Sequence, residues 1–113
     1  MGKEGERFAV SFLKKNGYRI LASNYRTALG EIDIIAKDGN QIVFIEVKTR
    51  KGNTCIAPEE SVNWQKQQKI KRLALLYLKN NKLYDIPVRF DVIGLRVKEG
   101  HYVVEHIKNA FAF

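Results

Sequence analysis

The sequence contains little cysteine and no long apolar run. Its single cysteine, Cys55, cannot form an internal disulfide, and two histidines do not complete the ligand set of a zinc site. The longest unbroken apolar run covers residues 73–78, far short of the ~20 residues that a membrane-spanning helix needs. Residues 1–8 carry charges but no apolar core like that of a cleaved signal peptide. We therefore expect a soluble, cytoplasmic protein without a membrane partner.

Acidic residues are scarce relative to basic ones. Lysine and arginine number 20 against 12 aspartate and glutamate residues, which gives a formal net charge of +8. This excess favours a polyanionic partner, although a basic surface that serves only solubility has the same composition. The length of 113 residues, with 45% hydrophobic and 28% charged residues, excludes a two-domain enzyme and a disordered chain. One folded domain over residues 1–113 is predicted.

Hydrophobic periodicity predicts two helices and five strands. The first helix covers residues 3–16 and ends at Gly17, and the second begins at Pro58 and runs to Asn80. The predicted strands cover residues 18–25, 31–36, 41–48, 88–97 and 102–107. The order αβββαββ predicts an α/β sandwich in which a mixed sheet is flanked by helices.

Three carboxylates lie inside two neighbouring predicted strands. Glu31, Asp33 and Glu46 stand among branched apolar residues. Acids are depleted from strand interiors and are costly to bury without a partner. Either solvent or a metal ion can be that partner.

The length of the hairpin loop between these strands decides whether the acids meet. A two-residue loop (Asp38-Gly39 or Gly39-Asn40) or a four-residue loop over residues 38–41 places Asp33 and Glu46 on one face. The Gly39-Asn40 and four-residue loops set the two acids directly opposite each other, with Cβ atoms ~5 Å apart, and the Asp38-Gly39 loop makes them diagonal neighbours. A three-residue loop would separate them onto opposite faces. We expect a shared face at an edge of the sheet.

Lys48 shares a strand face with Glu46 because the two residues are two positions apart. Together with Asp33 they form an arrangement suited to metal-dependent hydrolysis. The carboxylates suit Mg²⁺, and the lysine can orient or deprotonate the attacking water. The alternative is an exposed strand face held by salt bridges.

Basic residues accumulate beside this candidate site. Residues 48–72 contain seven lysines and arginines against two glutamates. On a helical projection Lys66 falls within the apolar stripe of the second helix and Asn63 falls near it, so both either face the site or extend to the rim. Trp64 is either a packed rim residue or a base-stacking surface. The predicted nucleic-acid-binding residues are Arg50, Lys51, Lys66, Lys69 and Lys71.

The remaining candidates have weaker claims to function. Cys55 lies in a polar loop without an adjacent base. His101, at the start of the last predicted strand, and His106, within it, are expected to be structural or exposed rather than catalytic. Asp91, between two apolar residues, is expected to be a structural charge partner.

Motifs along nearly the whole chain resemble one known family. They are Gly5-Glu6, the G-E-I-D of residues 30–33, the V-F-I-E-V-K-T-R of residues 43–50, the helix opening at Val62, the R-F-D-V of residues 89–92 and the H-I-K-N-A-F of residues 106–111. This set resembles the YraN family of small bacterial endonuclease-like proteins. The resemblance implies a restriction-endonuclease-like three-layer sandwich with a PD-(D/E)-x-K site, similar to archaeal Holliday-junction resolvases.

The resemblance also implies roles for individual residues. Asp33, Glu46 and Lys48 take the motif positions, and Glu6 is the helix-one acid that such resolvases add. No proline precedes Asp33, which is a departure from the motif. A resolvase-like role favours a two-fold homodimer, because a four-way junction needs two symmetric cuts.

Three functional hypotheses are consistent with the sequence. The leading hypothesis is an Mg²⁺-dependent nuclease acting on DNA, including branched DNA, with Mn²⁺ as a substitute for Mg²⁺. In it Asp33, Glu46 and the Val47 carbonyl hold the ion, Lys48 handles the water and Glu6 assists. The second is a nucleic-acid-binding module without chemistry, which the acids oppose because they repel phosphate unless a cation intervenes. The third is an interaction protein whose charge is incidental.

Overall fold

The described residues form two helices and five strands, which follow one another in the predicted order. The computed structural model describes residues 2–51 and 62–113. The elements are α1 (Gly2–Lys15), β1 (Arg19–Thr27), β2 (Gly30–Asp38), β3 (Gln41–Lys51), α2 (Trp64–Asn80), β4 (Val88–Lys98) and β5 (His101–Phe111). The prediction of an α/β fold with the order αβββαββ is confirmed. Neither described helix is long and apolar enough to span a membrane.

Helix α1 ends at the glycine that the sequence indicates. Gly17 has φ of +87°, a left-handed conformation that is costly for residues with a Cβ. The Tyr18 amide donates to the Leu13 carbonyl at 3.0 Å, and the Gly17 amide donates to the Lys14 carbonyl at 3.1 Å. These two bonds form a Schellman motif, which satisfies carbonyls in the last turn of α1.

Helix α2 starts later than the sequence analysis predicts. Pro58 lies outside the described residues, but Val62 and Asn63 are described and are not helical. Asn63 has an extended backbone (φ −72°, ψ 165°), and its side chain accepts a hydrogen bond from the Lys66 amide at 2.8 Å. Asn63 is therefore the N-cap of α2, a position that favours asparagine.

All five strands form one mixed sheet in chain order. Neighbouring strands are antiparallel except β3 and β4, which are parallel. A parallel pair needs a crossover connection, which α2 provides. Helix α1 packs through Ala9 and Leu13 on one face of the sheet, and α2 packs through Ile70 and Leu73 on the other. The fold therefore has three layers.

The β2–β3 hairpin has the parity that brings the acids together. Asp38 pairs with Gln41, so Gly39 and Asn40 form the loop, and Ile34 pairs with Ile45 further along. Pairing between β2 and β3 ends there.

Beyond the pair of Ile34 and Ile45, β2 pairs only with β1 and β3 pairs only with β4. Strand β2 continues beside β1 down to Gly30, whereas β3 continues beside β4 up to Lys51. The sheet thus forks between β2 and β3.

Candidate active site

Asp33 and Glu46 lie where the sheet forks. They are the next residues after the last β2–β3 pair, Ile34 with Ile45, and the same register sets them opposite each other. The Val47 amide donates to Asp33 Oδ2 at 2.8 Å, and Glu46 is only 8% exposed. The expected position at a sheet edge is wrong, because β2 and β3 are interior strands and it is their separation that opens the site.

Two further carboxylates join Asp33. Glu6 of α1 and Glu31 of β2 each offer an oxygen that, with one from Asp33, lies within 4.8 Å of the others. Within the described part of the chain, Glu6 Oε1 is buried without a hydrogen-bond partner, whereas Glu31 accepts a hydrogen bond from Arg26. Glu31 is missing from the residues predicted to be catalytic, although its spacing of two positions from Asp33 was a signal for it.

Gly5 explains how α1 brings Glu6 so near the sheet. A Cβ at Gly5 would lie 2.7 Å from Thr49 Oγ1 and 3.3 Å from Leu95 Cδ1. A residue without a side chain permits this close approach of α1 to β3 and β4 without a shift of Thr49. Glu6, the next residue, is carried to the acids by the same approach.

The surroundings of Asp33 disfavour its ionisation. Burial raises the pKa of Asp33 most, the negative charge of Glu46 raises it further, and the hydrogen bond from the Val47 amide lowers it. A side-chain hydrogen bond with Glu46 and the charge of Glu6 also raise the pKa, which reaches about 8. Without a cation, Asp33 is therefore mostly protonated at neutral pH.

Two lysines complete the centre. Lys66 of α2 donates from Nζ to Glu46 Oε1 at 2.9 Å. The sequence left open whether Lys66 faces the site or extends to the rim, and this contact shows that it faces the site. Burial lowers the pKa of Lys48, the positive charges of Lys66 and Arg50 lower it further, and Glu46 opposes them. A lowered pKa makes a lysine better suited to accept and release a proton than an ordinary lysine is.

The predicted DNA-binding residues occupy different places. Lys66 and Lys69 line a cleft of about 260 Å³, and Glu31 lines the same cleft. Arg50 is exposed on β3, and nothing is described for the Lys51 side chain. The Lys71 ammonium lies 5.9 Å from the ring centroid of Phe111 and is not among the residues lining this cleft. The structure thus brings Lys66 and Lys69 next to the acids, and a DNA-binding role remains a prediction for all five.

Relatives establish the family of this chain. A family model matches residues 5–95. The chain belongs to the family described as "Uncharacterised protein family UPF0102". This is the YraN family, so the resemblance is confirmed.

Two UPF0102 proteins illustrate how similar the relatives are. One from Thermodesulfovibrio yellowstonii is 55% identical over 111 residues, which cover 98% of this chain and 95% of the relative. One from Alkaliphilus oremlandii is 49% identical over 113 residues, covering 98% and 97% of the two chains. The structure of Pyrococcus furiosus SfsA in complex with Ca²⁺ aligns with 95% of this chain and 62% of its own at 14% identity, with a TM-score of 0.35. That likeness is too weak to support an argument about function.

This UPF0102 chain also contains a buried ionic network around Asp91. Arg89 donates to both carboxylate oxygens of Asp91 at 2.9 Å. His106 Nε2 lies 2.7 Å from Asp91 Oδ2, and the Asn109 amide donates to Oδ1 at 3.1 Å. The structural roles predicted for Asp91 and His106 are confirmed by these contacts. Cys55 lies outside the described residues.

Proposed function

We propose that this protein is an Mg²⁺-dependent nuclease that hydrolyses phosphodiester bonds in DNA, with a preference for branched or otherwise deformed DNA. The observation that carries the proposal is the convergence of Asp33 and Glu46 at the fork of the sheet. An exposed, salt-bridged strand face does not account for it, because Glu46 is nearly buried and Asp33 is held by a backbone amide.

The residues at the fork fit a hard divalent cation. Carboxylate and carbonyl oxygens are the ligands that Mg²⁺ and Mn²⁺ prefer. The unpartnered Glu6 Oε1, noted above for the described residues, and the raised pKa of Asp33 both indicate that the described residues do not fully balance these carboxylates when they ionise. Asp33, Glu46 and the Val47 carbonyl would hold the ion, with Glu6 and Glu31 close by. When bound, it would polarise a phosphate and lower the pKa of a water molecule.

The side chains around the acids have distinct tasks in this proposal. Lys48, with its lowered pKa, takes a proton from the attacking water or stabilises charge on the phosphate. Lys66 holds Glu46 through the contact between Nζ and Oε1. The Val47 amide fixes the Asp33 carboxyl group in the orientation that the site needs.

One contact favours the second candidate, a DNA-binding module without chemistry. Lys66 already neutralises Glu46 by direct contact, so this acid does not require a cation to be stable. In such a module Lys66 and Lys69 would contact phosphate and the acids would be inactive. Cleavage assays on the wild-type protein and on site variants distinguish the two functions.

The test uses Mg²⁺-dependent cleavage of linear, flapped and four-way DNA. Glu46→Gln keeps the shape of the side chain but removes its charge, so we expect weaker Mg²⁺ binding and loss of cleavage. Lys48→Ala is expected to retain Mg²⁺ binding by calorimetry and to slow cleavage by roughly 10²- to 10⁴-fold, the usual effect of removing a proton-transfer group.

Matched controls lie at the exposed end of the β4–β5 hairpin. Glu99→Gln and Lys98→Ala make the same chemical changes at exposed positions and should leave cleavage unaltered. If Glu46→Gln and Lys48→Ala behave like these controls, the observed cleavage does not come from this site. The binding-module function would then replace the nuclease.

A further inference from the structure

Trp64 is the only tryptophan of the chain, and the fold leaves it in solvent. The residue is 70% exposed at the first position of α2, so the packed alternative from the sequence analysis is wrong. Tryptophan contributes to stability mainly through burial of its large ring. Packing in the core therefore does not explain why this ring is there.

The start of α2 holds Trp64 in a defined place. The cap formed by Asn63 fixes the first turn of α2. Successive residues advance by about 100° around a helix, so Trp64 lies about 180° from Leu73. Since Leu73 is buried in the core, Trp64 projects from the solvent side of an ordered helix.

The helix that carries Trp64 is basic, and its opposite side faces the candidate active site. Helix α2 contains no acidic residue and five basic ones, which are Lys66, Lys69, Lys71, Arg72 and Lys79. Lys66, about 160° around the helix from Trp64, contacts Glu46, and Gln65, which lies between these two residues, lines the cleft beside Glu31. A strand bound in the cleft would therefore reach Trp64 by crossing the N-terminal turn of α2. A ligand that suits both the charge and the exposed ring is anionic and carries flat rings of its own.

We propose that Trp64 stacks on an unpaired base of the DNA strand bound at the candidate active site, an inference that rests on the nuclease function proposed above. Inside an intact duplex, neighbouring bases cover each other's faces. A free face exists at an end, a flap, a junction or a single-stranded stretch. Because every base has such a face, stacking on Trp64 selects DNA with unpaired nucleotides without reading their sequence.

Intrinsic tryptophan fluorescence tests this stacking, because the signal comes from Trp64 alone. The probe is a single-stranded oligothymidylate of roughly 12 nucleotides, added in Ca²⁺ in place of Mg²⁺, and binding is followed separately by anisotropy of a labelled copy. We expect fluorescence quenching on binding, and we expect Trp64→Ala to weaken binding about 5- to 100-fold. Trp64→Phe should recover part of the loss because it restores an aromatic face.

Two controls separate stacking from charge and from folding. An oligonucleotide of abasic units keeps the phosphates but has no bases, so wild type and Trp64→Ala should bind it equally and without quenching. Tyr84 is exposed to a similar extent, at 68%, and lies outside α2. Tyr84→Ala should bind oligothymidylate like the wild type.

The outcomes distinguish this inference from the function on which it rests. If the wild type binds oligothymidylate without quenching and Trp64→Ala binds like Tyr84→Ala, stacking is refuted and the nuclease proposal stands. If no DNA of any shape changes the anisotropy, the proposed function fails and the stacking fails with it.

Discussion

Asp33 illustrates at the scale of a single residue how the fork changes an ordinary side chain. Its neighbours Ile32 and Ile34 are both buried, Ile32 in the core on the α2 side of the sheet and Ile34 in the core on the α1 side. Asp33 instead meets Glu46, Glu6 and the Val47 amide, because β2 leaves β3 at this position. The raised pKa follows from this crowding and is the clearest electrostatic mark of the site.

We predict that metal-free protein loses stability as the pH rises because Asp33 must ionise. Its pKa is about 8 in the folded chain against an ordinary value of 3.8, so the folded state binds more protons than the unfolded state between these values. The stability that comes from protonated Asp33 is complete below about pH 4 and disappears as the pH rises through 8. The ionisation of Asp33 should lower the free energy of unfolding by up to about 1.4 kcal/mol per pH unit.

Thermal unfolding in a chelator checks this prediction. Asp33→Asn should remove most of the decrease between pH 6 and pH 8.5, whereas Asp85→Asn, at an exposed position, should not. Added Mg²⁺ should stabilise the wild type at the higher pH and have little effect on Asp33→Asn. Identical pH profiles for the wild type and Asp33→Asn would show that Asp33 ionises normally.

At the scale of secondary-structure elements, the β2–β3 hairpin is held at one end and open at the other. Arg89 of β4 donates to Asp38 Oδ2 at 3.0 Å and to Gln41 Oε1 at 3.1 Å, which are the residues on either side of the loop. It also donates to the Tyr18 hydroxyl at 2.7 Å, just before β1. The network thus ties β4 to the closed end of the hairpin and supports the register on which the meeting of Asp33 and Glu46 depends.

Breaking this network should be costly. Asp91→Ala leaves Arg89 buried without its main partner, so we predict a loss of about 3–5 kcal/mol in the free energy of unfolding. Glu99→Ala, at an exposed position, should cost far less. Urea denaturation measures both, and a loss below about 1 kcal/mol for Asp91→Ala would mean that Arg89 finds other partners or water.

The pH dependence of the Asp91 contribution has the opposite sign to that of Asp33. Burial raises the pKa of Asp91, but hydrogen bonds from His106, Arg89 and Asn109 outweigh it and hold the pKa below 3.8. The stability from Asp91 is therefore present above its ordinary pKa and is lost as the pH falls through the folded value. In Asp91→Ala this acid-dependent loss should be absent.

For the whole molecule, the sequence predicts the order of elements and the hairpin register better than the site. Gly17 is a local signal and ends α1 as expected, and the Gly39-Asn40 loop is one of the alternatives that the sequence left open. The fork is not visible in the sequence because the pattern of apolar residues continues through Asp33 and Glu46. The place of Glu6 depends on how closely α1 approaches β3 and β4, and that distance is set by tertiary packing at Gly5.

The net charge of +8 leads to a prediction about the whole molecule. If DNA is the partner, its affinity should fall steeply with salt, by about 0.9 in log K per tenfold rise in salt for each phosphate neutralised. Lys69→Ala should reduce the slope of log K against log salt by about 0.9, the contribution of one phosphate, because Lys69 lines the cleft beside Glu31. Lys79→Ala makes the same change in the last turn of the same helix and should leave the slope unaltered. The measurement is anisotropy of labelled DNA across a salt series, with Mg²⁺ replaced by Ca²⁺. Equal slopes for the two variants would move the binding surface away from the cleft, and an affinity independent of salt would exclude nucleic acid as the partner.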